Sequence, residues 1–117
     1  MSNRTLAIQT LAEFGSVVIT CNGNSMRPLI APKEAIHLRK VDLSLLRVGD
    51  AVFCRINGNL QVHLISAVDK DRFQISNNHG HVNGWINHYN IFGLCVKVED
   101  RVMVSDDDLT KRAAGII

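Results

Sequence analysis

A β-hairpin is predicted by the segment Asp50-Ala51-Val52-Phe53-Cys54-Arg55-Ile56-Asn57-Gly58-Asn59-Leu60-Gln61-Val62-His63-Leu64-Ile65-Ser66-Ala67-Val68. Its two flanking runs are rich in β-branched and other apolar residues, which favour strands. Asn-Gly between two such runs is typical of a two-residue hairpin turn, because both residues tolerate positive φ. We therefore predict strands over 50–56 and 60–68, joined at Asn57 and Gly58.

The same criteria predict further strands and two helices in the rest of the chain. Strands are expected over 16–21, 72–76, 91–98 and 101–104, and Ser105 with Asp108 has the spacing of a helix capping box. The predicted fold class is mainly β, a folded antiparallel β-sheet with a short helix near each terminus. We expect one domain over 1–117, with an N-terminal helix at 1–15, a β core at 16–104 and a C-terminal helix or tail at 105–117.

Composition limits the kind of protein this is. The 117 residues carry a formal net charge of only +2, which gives no argument for a nucleic-acid or membrane-surface partner. Residues 1–14 lack an apolar run behind a basic region, so no secretory signal is predicted, and no stretch is long enough to span a bilayer. The three cysteines form no metal-binding pair, which favours reduced thiols. We expect a soluble, cytoplasmic protein.

The segment Cys21-Asn22-Gly23-Asn24-Ser25-Met26-Arg27-Pro28-Leu29-Ile30 follows the first predicted strand and carries the candidate chemistry. Asn and Gly permit a sharp turn, and Pro28 stiffens the chain after it. A serine on such a turn can present its hydroxyl outside the sheet, beside free backbone amides. Taken by itself, the segment also fits a surface loop with an ordinary serine.

Four blocks in order resemble the serine peptidase clan of signal peptidases and LexA-type self-cleaving proteins. Gly23-Asn24-Ser25-Met26-Arg27-Pro28 is similar to the clan's nucleophile motif. The other three blocks resemble the strand introduced by Gly-Asp, the strand with the general base and the closing strand: Leu46–Phe53, Gln61–Ile65 and Ile91–Val98. The resemblance spans roughly 18–98 and implies the clan's folded β-sheet and peptide-bond hydrolysis.

Carried over residue by residue, the resemblance makes Ser25 the nucleophile and His63 the general base. A histidine in that place resembles the branch with a Ser/His pair rather than the branch with lysine. Histidine can take the serine proton near neutral pH and return it to the leaving amine. The resemblance also implies an oxyanion site at the backbone amides of Asn24 and Ser25, and a substrate groove shaped by Met26 and Pro28.

The chain departs from the Ser/His branch where an acidic residue usually orients the histidine. Residues 76–83 contain no carboxylate, and Asn78 or Asn83 is expected to take the orienting place. An asparagine can hold the imidazole tautomer without stabilising the imidazolium charge. The histidines His79, His81 and His88 leave a metal site open as an alternative, although no cysteine or carboxylate completes a ligand set.

The function expected from these residues is a soluble serine endopeptidase acting on a peptide or protein, with no cofactor and no metal. A catalytically inactive, peptidase-like binding or regulatory module is the alternative, because the acidic third residue is missing. No nucleic-acid or membrane partner is expected. The sequence leaves a homodimer open.

Overall fold

The structure is a computed structural model that describes residues 3–116. The predicted helix positions at residues 1, 2 and 117 lie outside this range. Within it, the bounds are, in chain order: α1 Asn3–Phe14, β1 Ser16–Ile19, β2 Ile36–Arg39, a 3₁₀ turn at Leu43–Leu45, β3 Ala51–Ile56, β4 Asn59–Asp69, β5 Arg72–Ser76, β6 Val82–Asn87, a second 3₁₀ turn at His88–Asn90, β7 Ile91–Val98, β8 Arg101–Val102 and α2 Asp106–Ala113.

The strands of the described chain form one eight-stranded antiparallel sheet. Its order is β1-β2-β7-β3-β4-β5-β6, and β8 pairs with β7. The prediction of a mainly β, antiparallel fold with two short helices is confirmed. No helix within residues 3–116 is long and apolar enough to cross a membrane.

The central hairpin has the predicted turn. Strand β3 pairs with β4 in the register Val52↔His63 and Ile56↔Asn59. Asn57 and Gly58 have φ of 52° and 79°. Positive φ at both turn residues matches the right-handed twist of the flanking strands. This register places His63 opposite the middle of a buried strand.

The apolar run of β3 is continuous because both faces of this strand are covered. Ala51 and Phe53 belong to the buried group beneath α1, whereas Val52 and Cys54 belong to the group that includes Leu109 of α2. Successive strand side chains point to opposite faces, so a strand buried on both sides needs no polar alternation. The helices at the two ends of the chain therefore cover the sheet on opposite faces.

Strands β2 and β6 were absent from the sequence prediction, and within β6 Asn83 and Gly84 are residue types that favour loops. In the β5–β6 pairing, Ile75 lies opposite Gly84 and Ser76 opposite Val82, which leaves Asn83 as an extra residue. Gly84 has φ of 140°, a conformation that favours glycine. The residues that indicated a loop instead form a β-bulge inside an edge strand.

Two unpaired strand edges border one groove. Within the described part of the chain, strand β1 pairs only with β2, and residues 59–63 of β4 pair only with β3, because β5 begins to pair at Leu64. A groove of about 870 Å³ lies between them and is lined by α1, by residues 17–20 and by residues 58–60. Free N–H and C=O groups on such edges can pair with an added extended segment.

Candidate active site

Ser25 and His63 meet beside a second, smaller cavity that shares Arg4 with this groove. The Ser25 Oγ lies 3.1 Å from the His63 Nε2, across 38 residues of sequence. Ser25 lies in the turn after β1, and His63 projects from β4 with only 5% of its surface exposed. The structure thus places the predicted nucleophile and the predicted base within hydrogen-bonding distance.

The second ring nitrogen of His63 fixes the tautomer. Its Nδ1 lies 2.9 Å from the Asn83 Oδ1. An amide oxygen only accepts hydrogen bonds, so Nδ1 carries the ring proton and donates a hydrogen bond to the Asn83 Oδ1. The Nε2 lone pair then faces the Ser25 hydroxyl, which is the arrangement that a general base requires.

Of the two asparagines considered for the orienting role, only Asn83 contacts the ring. The bulge in β6 directs its side chain toward His63, in the way that a bulge can re-aim one side chain at the rim of a sheet. The Asn78 side chain instead donates to the Arg27 carbonyl at 2.9 Å. An Asn-Gly pair at 83–84 was the sequence signal that could have distinguished the two.

Burial lowers the pKa of His63 below its usual value of 6.5. Desolvation penalises the imidazolium, the nearby His81 acts in the same direction, and the hydrogen bond with Asn83 opposes both. The ring is therefore neutral at pH 7 and available to accept a proton. A neutral partner such as Asn83 does not offset the cost of charging the ring, as a carboxylate would.

Asn78 and His79, for which other roles were expected, hold the serine turn in place. The Asn78 N–H donates to the Ser25 carbonyl at 2.9 Å, in addition to the side-chain bond to Arg27. The His79 Nε2 lies 3.2 Å from the Asn24 carbonyl. Three of the four residues 24–27 thus have their carbonyls anchored from residues 78–79, which fixes the planes of those peptide groups.

The anchored carbonyls leave two amides available at the serine. The Asn24–Ser25 peptide is trans, so the Ser25 N–H points away from the Asn24 carbonyl that is bound by His79. Neither the Asn24 nor the Ser25 amide donates to an acceptor within residues 3–116. Two such donors beside a nucleophile can stabilise an oxyanion.

A cavity of about 260 Å³ adjoins Ser25 and His63. Its lining combines the polar residues Arg4, Gln61 and the Ser25–His63 pair with apolar residues: Met26, Ile30, Ala31, Ile36 and Val62. Met26 therefore has the expected place beside the site, whereas Pro28 is exposed and lines neither this cavity nor the larger groove.

Cys21 also lines the small cavity but is no rival nucleophile. Burial raises the pKa of its thiol, and the Arg4 guanidinium and the Val62 N–H only partly oppose this effect. The group is therefore a neutral thiol at pH 7. The proximity of Arg4 to this thiol is a contact that sequence patterns did not reveal.

The histidines outside the Ser25–His63 pair do not assemble with other metal ligands. Among the residues that the structure describes, no group of three His, Cys, Asp or Glu side chains could hold a metal ion. His79 binds the serine turn, and the His88 ring packs against Tyr89 with 4.0 Å between ring centroids.

Comparisons of the chain with protein-family models, with curated proteins and with solved structures found no match.

Proposed function

We propose that this chain is a serine endopeptidase of the signal peptidase and LexA-like type, in which Ser25 and His63 hydrolyse a peptide bond. The observation that carries the proposal is the 3.1 Å contact between the Ser25 Oγ and the lone-pair nitrogen of His63. The order of the four sequence blocks is the second support, and it is the basis for assigning the sheet to that fold type.

In the proposed reaction, the Ser25 oxygen attacks the substrate carbonyl carbon while the His63 Nε2 takes the hydroxyl proton. The carbonyl oxygen becomes an anion that accepts hydrogen bonds from the Asn24 and Ser25 amides. Collapse of this intermediate breaks the C–N bond, and His63 gives its proton to the departing amine. Water then attacks the acyl-serine ester with the same base, which releases the acid product and restores Ser25.

The two open strand edges suit a substrate in extended conformation. A peptide lying between β1 and residues 59–63 of β4 would pair its backbone with both edges. The small cavity beside Ser25 would then receive one substrate side chain. Backbone pairing supplies affinity in this arrangement, and the cavity supplies selectivity.

A non-catalytic peptide-binding module is the second candidate, and Asn83 is the observation that favours it. An amide in place of a carboxylate leaves the imidazolium of the proposed intermediate without a compensating charge. The same groove and edges would serve binding alone.

The two candidates are separated by comparing new protein N-termini in extracts incubated with wild type, Ser25→Ala or His63→Ala. We expect N-termini that appear only with wild type. The rate on a peptide copied from one such site should rise with pH through a single ionisation below 6.5, because burial lowers the pKa of His63. Cleavage that survives either substitution would reject the Ser25–His63 mechanism, and no cleavage by wild type would favour the binding module.

A further inference from the structure

Arg4 is a cation at the junction of the two cavities. It extends from the first turn of α1 and is half-buried, and its Nη1 donates to the Leu60 carbonyl at 2.7 Å. It lines both the groove of about 870 Å³ and the cavity of about 260 Å³ beside Ser25. A ligand that extended from one space into the other would pass the guanidinium.

The charge on Arg4 has no acidic partner within the described residues. The ion pairs found there involve other residues, and no Asp or Glu lines either cavity. The guanidinium instead contacts two neutral groups, the Leu60 carbonyl and the Cys21 thiol. Because His63 is uncharged at pH 7, Arg4 is the one charged side chain in these linings.

The contact with Leu60 places the guanidinium on the edge where a substrate backbone would pair. Leu60 belongs to the half of β4 that pairs only with β3. A carbonyl oxygen has two lone pairs, so Leu60 can keep Arg4 and also accept a substrate N–H. One N–H fork of the guanidinium then remains for a side chain of that substrate, and this planar fork matches a carboxylate.

We propose that Arg4 is a specificity-determining residue that selects an acidic side chain in the peptide held between β1 and β4. The selected Asp or Glu lies beside the guanidinium, which lines both the groove and the cavity. The role of the peptide as a substrate rests on the proposed peptidase function, whereas the preference for an acidic peptide is a property of the groove itself.

Binding is tested first, with protein that cannot cleave. The probes are two pools of dansylated octapeptides that differ at one position. Each member of the first pool carries one Glu, and its counterpart in the second pool carries Gln at the same position. Ser25→Ala should bind the Glu pool about tenfold more tightly, and adding Arg4→Gln should make the two affinities equal. Adding Arg4→Lys should retain part of the preference, because the charge is kept while the fork is lost.

The matched control is Lys40→Gln in the Ser25→Ala background. Lys40 is exposed and lines neither cavity, so this variant removes one positive charge and should keep the tenfold preference. Loss of the preference in this control would show that net charge, not Arg4, attracts the acid. Thermal unfolding of each variant establishes that it is folded. Equal binding of both pools by Ser25→Ala, or no binding of either pool, would overturn the proposal.

Cleavage is tested separately on a proteome-derived peptide library. Wild type should favour sites with Asp or Glu at one fixed position, Arg4→Gln should lose that enrichment while still cleaving neutral peptides, and Arg4→Glu should favour Lys or Arg there. A Glu preference in binding without any cleavage would reject the peptidase function and support the role of Arg4. Cleavage with no acidic enrichment would support the peptidase function and reject the role of Arg4.

Discussion

Replacing Asn83 with aspartate tests whether the missing negative charge beside His63 limits the stability of the imidazolium. The Asn83 Oδ1 lies 2.9 Å from the His63 Nδ1, so a carboxylate there would lie about 4 Å from the centre of the imidazolium charge. Two unit charges at about 4 Å attract by about 4 kcal/mol when the effective dielectric constant is about 20. Partial burial of the carboxylate costs part of this attraction. We therefore expect the pKa of His63 to rise by about 1–2 units, which corresponds to about 1.4–2.7 kcal/mol.

The direct measurement is an NMR titration of the His63 ring in wild type and Asn83→Asp, which needs no substrate. Wild type should titrate below 6.5, because burial lowers the pKa, and the variant should titrate at a higher pH than wild type. If the protein cleaves peptides, the acid limb of the pH–rate profile should move upward by the same amount. The plateau rate at higher pH should rise, because the carboxylate stabilises the imidazolium formed during attack.

Asn87→Asp is the matched control, since it makes the same charge change at an exposed position four residues along β6. Four strand residues span about 13 Å, beyond the screening length at physiological salt, so its effect on His63 should be small. Equal titration of His63 in wild type and Asn83→Asp would refute the inference that Asn83 orients this ring.

Three further predictions concern stability, each measured by urea denaturation. The pKa of His63 is lowered in the folded state, so the free energy of unfolding should be highest above pH 6.5 and fall as pH decreases toward the folded pKa. His63→Gln should remove the part of this pH dependence that comes from His63. Arg112→Met should destabilise the fold by about 3 kcal/mol, because it leaves the buried Asp50 carboxylate without its bidentate partner. Adding Asp50→Asn should recover much of this loss. An unchanged urea midpoint for Arg112→Met would contradict this account. Gly93→Ala should cost about 1–3 kcal/mol, because the new Cβ would lie 3.1 Å from the fully buried Leu11; no loss would mean that α1 shifts freely.

Local sequence chemistry predicted the elements that depend on short-range signals. The hairpin at Asn57-Gly58, strand β7 at Ile91–Val98 and the capping box between Ser105 and Asp108 are confirmed. Each combines a run of fitting propensity with a turn or cap residue whose backbone preference is strong. Strand β2 lacked such signals, since it has only four residues and its sequence Ile-His-Leu-Arg is short of turn markers.

The candidate site was predictable only in part, because its members come from separate elements. Ser25 and His63 could be named from sequence blocks, but only the register of β4 and the turn after β1 show that they meet. The choice of Asn83 over Asn78 depended on one extra residue in an edge strand. Arg4 could not be found from periodicity, because its place follows from how α1 packs on the sheet.

The bulge that carries Asn83 lies near the start of β6, an edge strand that pairs with β5 alone among the strands of residues 3–116. Marginal strands fray before the centre of a sheet melts, since local opening costs less free energy than global unfolding. Modest warming would then release the imidazole from its amide partner while Phe53 and its neighbours stay packed. Loss of the His63–Asn83 hydrogen bond on heating would accordingly begin below the melting temperature and reverse on cooling.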